Sequence, residues 1–326
     1  MYLQEEKFSL WVDFIERDYL ESEFKTLIDK GIINGATSNP SIFKNAILTS
    51  PAYRRQLEEL SGIDAKAKYE ALAVYDIQKA ADILRPLYDR GDDGYVSIEV
   101  DPTLCDDTAA TIEEGHRLYR MIGRPNVMIK VPATEAGYGA MTALVGEGIA
   151  VNATLVFSKE QALSSVEAIA QGQKEGASVD TVISVFVSRI DRALDALLLE
   201  KGIAPALAGI YNAAAIYNAI EARGVERCRT LFASTGVKGG DLRPSYYIDE
   251  LLAAHSVNTA PVETIDAFVK GGDRTVKLPI EANRIDAHFR KIEEAGIDFD
   301  AVVAKQISDG LDAFKEAFSE ILSELE

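Results

Sequence analysis

The chain has 326 residues, 47% of them hydrophobic, and a formal net charge of −18 with a pI near 4.7. A surface that acidic repels nucleic acid and anionic membranes, which excludes both as partners and obliges any anionic substrate to find a local basic pocket. Two cysteines, Cys105 and Cys228, are too few for a disulfide framework or a metal cluster, and His116, His255 and His288 lack ligand spacing, so no metal is expected.

In chain order, short β-rich runs alternate with longer helical patterns. Strands are predicted over 9–15, 35–39, 95–100, 126–131, 151–157, 182–187, 230–234 and 256–261. A long helical segment over 51–89 separates the second and third strands, and another fills 300–325. Further helices are predicted over 135–147, 159–172, 189–201, 205–223 and 243–254. Eight strands alternating with helices, at this length, predict an α/β protein: a single (β/α)8 TIM barrel with additional helices. No Gly/Ser linker, composition break or short repeat divides the chain, so residues 1–326 read as one domain. The N-terminal Met-Tyr-Leu-Gln-Glu-Glu-Lys lacks a leader's apolar core, and no window has the length of a membrane span; a soluble cytoplasmic protein is expected.

Within five strands the polar groups keep to one face. Asp13 lies between Val12 and Phe14; Ser97 and Glu99 oppose Val96, Ile98 and Val100; Lys130 shares a face with Met128 and Asn126. Asn152 and Thr154 oppose Val151, Ala153 and Leu155, and Ser184 opposes Ile183 and Val185. An open sheet would bury these groups against helices, whereas a closed barrel gathers them in its interior near the C-terminal mouth.

Lys130, inside the apolar run Asn126-Val-Met-Ile-Lys-Val-Pro132, is the most informative residue. Apolar surroundings disfavour an ammonium, and a neutral amine can attack a carbonyl to form a Schiff base. The alternative is a lysine snorkelling from a strand end. Such chemistry needs proton carriers, and Asp13 and Glu99 are the strand carboxylates on the same face; alone, either could be a structural ion-pair partner. Asn39 in Thr37-Ser-Asn-Pro40 could bind a substrate oxygen or simply start a turn. Asn152 and Thr154 could satisfy barrel backbone, or Thr154 could hold a catalytic water. Arg189, just past the sixth strand, and the Gly-rich run Ser234-Thr-Gly-Val-Lys-Gly-Gly240 suit a phosphate end, although such a run is often only a turn and Lys238 could be solvated.

Several segments resemble the transaldolase family. Ala36-Thr-Ser-Asn-Pro-Ser-Ile-Phe43 resembles its Asn-Pro signature, and Val127-Met-Ile-Lys-Val-Pro-Ala-Thr134 its active-site lysine segment. Gly148-Ile-Ala-Val-Asn-Ala-Thr-Leu-Val-Phe-Ser158 is similar to its fifth-strand block. Ile183-Ser-Val-Phe-Val-Ser-Arg189 and Ala233-Ser-Thr-Gly-Val-Lys238 are similar to later blocks, and the resemblance runs from about Leu10 to the C-terminus. It implies dihydroxyacetone transfer between sugar phosphates, with no cofactor. By the same motifs it implies Lys130 as nucleophile, Asp13 as proton carrier at the cleaved bond, and Glu99 with Thr154 as holders of a water. It further implies Asn39, Asn152 and Ser184 around the dihydroxyacetone portion, and Arg189 with Ser234 at the phosphate.

One departure concerns that phosphate. Many members carry an arginine just after the seventh strand, where this chain offers Lys238 at a different spacing and without bidentate geometry. Two rival functions share the scaffold. One is a fructose 6-phosphate aldolase-like enzyme releasing free dihydroxyacetone; that group is typically shorter and often has tyrosine where this chain has Phe186. The other is a non-catalytic sugar-phosphate-binding barrel, which would gain little from the set Asp13, Glu99 and Lys130. A homo-oligomer is compatible with either reading.

Overall fold

The computed structural model describes residues 1–176, 178–240 and 242–326. Eight parallel strands close into a barrel in sequence order: β1 Ser9–Val12, β2 Gly35–Thr37, β3 Tyr95–Glu99, β4 Val127–Pro132, β5 Val151–Val156, β6 Thr181–Phe186, β7 Cys228–Ala233 and β8 Ser256–Ala260. Each expected strand is present, and the inside–outside alternation places Glu99, Lys130 and Asn152 side by side in register. Their outward neighbours Ile98, Ile129, Val131 and Ala153 belong to the apolar layer between strands and helices.

The N-terminal end of the barrel is closed. Trp11 fills the interior without exposure, and a β-carbon on Gly35 would stand 2.5 Å from its ring, so only glycine fits there. The Trp11 indole N–H donates to Asp93 at 3.1 Å, and Asp93 is paired with Arg229 at 2.5 Å, both buried. The opposite, C-terminal end stays open, as the position of Asp13, Lys130 and Ser184 requires.

Helix boundaries follow local capping. Thr134 caps Glu135–Gly146 by accepting from Gly137 N, and Ser158 forms a capping box with Gln161 at the start of Lys159–Glu175. The expected continuous segment over 51–89 breaks into Arg54–Glu59 and Ala65–Asp89, because Gly62 adopts φ +88° and Asp64 caps the second helix. The helix expected over 243–254 shortens to Tyr246–Glu250, and beyond its end the Leu252 carbonyl accepts from the backbone N–H groups of Lys277 and Leu278.

β5 holds one surprise. Leu155 adopts φ +57° at a bulge between Ala153 and Val156, a conformation that costs a β-carbon-bearing residue about 1–2 kcal/mol. The bulge turns Leu155 from the helix-facing side, where strict alternation places it, into the cluster of Phe157, Phe186 and Phe314. There it seats the C-terminal helix Phe299–Leu325, which lies over the barrel mouth at Gly310. A β-carbon at Gly310 would come within 3.1 Å of Leu155 and 3.4 Å of the Arg189 guanidinium.

Asp191 ties the helix Ser188–Glu200 to the helix Ala208–Glu221 by accepting from Gly209 N at 2.7 Å. Burial pushes its carboxyl up to about 7. Folding therefore favours the neutral acid: this contribution is complete below the unfolded value of about 4 and is lost as pH rises through about 7. Asp191→Asn should gain thermal stability relative to the wild type on moving from about pH 5 to about pH 8. Melting curves whose difference is the same at both pH values would contradict this.

Candidate active site

The chemistry-bearing side chains converge on one cavity of about 260 Å³ at the C-terminal mouth. That volume is near the lower end of small-ligand sites, about 300–1,000 Å³, and suits a metabolite more than a polymer segment. Seven of the expected residues line it: Asp13, Asn39, Lys130, Ser184, Arg189, Ser234 and Lys238. Glu99 and Asn152 lie buried beside Lys130, and buried Thr154 follows two residues further along β5, in register with Pro132.

Lys130 is 4% exposed. Its Nζ donates to the Ser38 carbonyl at 3.1 Å, stands 3.5 Å from Glu99 Oε2, and faces the Phe314 ring with 5.7 Å to the centroid. Burial pushes the Glu99 carboxyl up to about 7; Lys130 pulls against that rise and Asp13 adds to it. Among the described residues neither Glu99 oxygen has a hydrogen-bond partner of good geometry, nor does Thr154 Oγ1, although all three are buried. Buried oxygens without protein partners are normally satisfied by ordered water.

Asp13 sits one residue past β1, its N–H donating to Ala260 O at 2.8 Å and so prolonging the β8 pairing. Burial raises its carboxyl above the ordinary range, while Lys130 and a hydrogen bond from Thr37 oppose the rise. Thr37 Oγ1 donates to Asp13 Oδ1 at 2.6 Å and lies 2.7 Å from Thr259 Oγ1, so its own proton goes to Asp13 and it accepts from Thr259. Two threonines thereby fix the carboxylate.

Asn39 is outside β2. It is the cap of Pro40–Thr49, its Oδ1 accepting from Ile42 N at 3.0 Å, which leaves its amide N–H groups for the cavity. The turn-forming and ligand-facing readings of Asn39 are thus compatible. Asn152 is held on both sides, donating to Ser97 Oγ at 3.3 Å and accepting from Ser184 Oγ at 2.7 Å.

At the rim, Arg189 lies over Phe186 at 5.2 Å and takes part in no ion pair among the described residues. Burial and then neighbouring Arg192 lower its pKa, against Asp309, but a guanidinium keeps its charge. Ser234 adopts φ +55°, and its hydroxyl is 3.0 Å from that of Ser188 at the start of Ser188–Glu200, a helix with no side-chain cap. Lys238 is exposed and points its charge at the same rim. Two cations, two hydroxyls and an uncapped helix start gather at this rim, a chemistry of the kind that suits an anion. Among the described residues no group of three His, Cys, Asp or Glu side chains is placed to hold a metal ion.

Sequence reasoning missed Thr37, Thr259 and Phe314. Alternation already puts Thr37 on the face of Gly35, pointing inward, so that signal was available. Phe314 lies far along the chain on a helix with no polar motif, and only tertiary placement brings it to Lys130.

The Transaldolase/Fructose-6-phosphate aldolase family model matches residues 10–325. A protein of Helicobacter pylori (strain ATCC 700392 / 26695) named Transaldolase is 43% identical, covering 98% of this chain and 99% of its own length. One of Campylobacter jejuni subsp. jejuni serotype O:23/36 (strain 81-176), also named Transaldolase, is 45% identical with the same coverage of both chains.

Proposed function

The chain belongs to the transaldolase/fructose-6-phosphate aldolase family, and from that premise we propose that it is a transaldolase working through a Schiff base on Lys130. Its reaction moves a dihydroxyacetone unit from sedoheptulose 7-phosphate to glyceraldehyde 3-phosphate, giving erythrose 4-phosphate and fructose 6-phosphate. The observation that carries this reading is Lys130, buried 3.5 Å from Glu99 at the floor of a cavity whose rim holds Arg189. A binding protein has no use for that amine, and a metabolite with a carbonyl at one end and a phosphate at the other spans both features.

In the first half-reaction Lys130 attacks the ketone. Glu99 and Thr154, through the water their unpartnered oxygens would hold, relay protons as the carbinolamine loses water to the iminium. Asp13 then takes the C4 hydroxyl proton, the C3–C4 bond breaks, and its electrons pass to the iminium nitrogen. The aldose phosphate leaves and a three-carbon enamine stays on Lys130. Asn39, Asn152 and Ser184 orient its hydroxyls. The second half reverses these steps on another aldose phosphate. Residues 1–326 act as one domain in this scheme, since the C-terminal helix lines the barrel's own cavity. No helix among the described residues is long and apolar enough to cross a membrane, and charged sugar phosphates as substrates favour an enzyme of the cytoplasm.

Fructose 6-phosphate supplied with and without erythrose 4-phosphate tests the reading. Consumption should depend strongly on the acceptor. Equal dihydroxyacetone release without it would assign an aldolase, and no consumption under either condition would leave only binding.

The phosphate assignment makes a separate prediction. A charge-assisted contact contributes about 1.5–3 kcal/mol, so Arg189→Ala should raise KM for erythrose 4-phosphate roughly ten- to a hundredfold. The loss should be much smaller with unphosphorylated glyceraldehyde as acceptor. Lys238→Ala should show the same selectivity at smaller amplitude, because an exposed ammonium is a weaker contact. Equal losses for both acceptors would remove these residues from the phosphate site.

A further inference from the structure

The C-terminal helix Phe299–Leu325 contributes one side chain to the reacting end of the cavity. Phe314 is 3% exposed, and its ring faces the Lys130 amine at 5.7 Å. It packs in one apolar cluster with Leu155, Phe157 and Phe186. The other neighbours of the amine are polar: the Ser38 carbonyl and Glu99. Lys130 therefore has a polar side that carries a carboxyl and an aromatic side. The aromatic side is built at a cost, since Leu155 is held at φ +57° and the helix approaches closely only where Gly310 has no β-carbon.

We infer that Phe314 is a specificity-determining residue: it keeps water from the Lys130-bound three-carbon enamine, so that the unit is handed to an aldehyde and not released. The inference rests on the transfer chemistry proposed above. Release and transfer compete from the same enamine. In release, the enamine carbon takes a proton from water, returning its electron pair to a C–H bond and regenerating the iminium. One water then adds at the iminium carbon, and the carbinolamine expels the Lys130 amine with dihydroxyacetone. The water consumed balances the one lost when the iminium formed, and the proton gained at carbon balances the one Asp13 took from the C4 hydroxyl. In transfer, an aldehyde carbon takes the place of that proton. An apolar ring beside the amine thins the water available to the first path, and the acceptor enters by the open, cationic rim.

The test is the partition ratio, free dihydroxyacetone formed per transfer to erythrose 4-phosphate, in the full-length protein. Phe314→Ala should raise the ratio about tenfold, the factor that roughly 1.4 kcal/mol of selective stabilisation gives. Phe314→Leu keeps an apolar filler but loses the ring's reach, and should raise it about threefold, roughly half that energy. It also serves if the alanine variant does not fold. A merely structural Phe314 would lower both products together and leave the ratio at the wild-type value in whichever variant folds; that result overturns the inference. Wild-type protein that makes no transfer product would instead refute the transaldolase reading itself, so the two failures are distinct.

Discussion

Lys130→Met should reduce turnover of fructose 6-phosphate with erythrose 4-phosphate by roughly a factor of ten thousand or more, the scale of losing a covalent nucleophile. Among the described residues no other amine lines the floor of the cavity: Lys238 is exposed at the rim, and Arg189 cannot deprotonate. The variant should still fold. Methionine keeps the apolar stem, and the Glu99 partner left behind already titrates at about 7, so without Lys130 beside it the carboxyl stays neutral below about that pH. Measured below neutrality, circular dichroism and the melting temperature should be near wild type while activity is gone. Retained turnover in a folded variant would remove Lys130 from the chemistry.

Asp13→Asn should give the next largest loss, about a hundred- to ten-thousandfold in kcat, the usual range for a positioned proton carrier. Its surroundings suit that role, because the hydroxyl chain Thr259–Thr37–Asp13 fixes Oδ1 of a side chain that lines the cavity. Asparagine preserves the shape and cannot take the C4 proton, so C–C cleavage should stop after Schiff-base formation. Glu99→Gln should behave differently, slowing iminium formation and hydrolysis, because Glu99 stands 3.5 Å from the Lys130 amine. Rapid-quench trapping tells them apart. If both variants accumulate the trapped adduct at the wild-type rate, the division of labour is wrong.

The barrel was legible because its physics is local and repeated. Alternation in runs such as Val96–Val100 and Val127–Val131 assigns each side chain to interior or exterior, and a closed barrel converts those faces into one site. The interior polar groups Glu99, Lys130, Asn152 and Ser184 fell where that rule put them. Gly62 and Asp64 carried a readable break within 51–89. What was not legible depends on distant partners. The chain just past the helix Tyr246–Glu250 is held by residues 277 and 278, whose N–H groups reach the Leu252 carbonyl. Leu155 leaves its strand parity at a bulge that makes sense only with the C-terminal helix in place. Phe314 reaches Lys130 across 184 positions of sequence, the difference between their numbers, with no local pattern to announce it.

Borohydride reduction of the wild-type protein in the presence of fructose 6-phosphate, followed by peptide mass analysis, tests directly whether Lys130 forms the Schiff base. One stable adduct is expected, the mass of a reduced three-carbon dihydroxyacetone unit, on the peptide that contains Lys130, appearing as activity disappears. An adduct on any other lysine, or full inactivation with no adduct on an enzyme that was turning over, would contradict it.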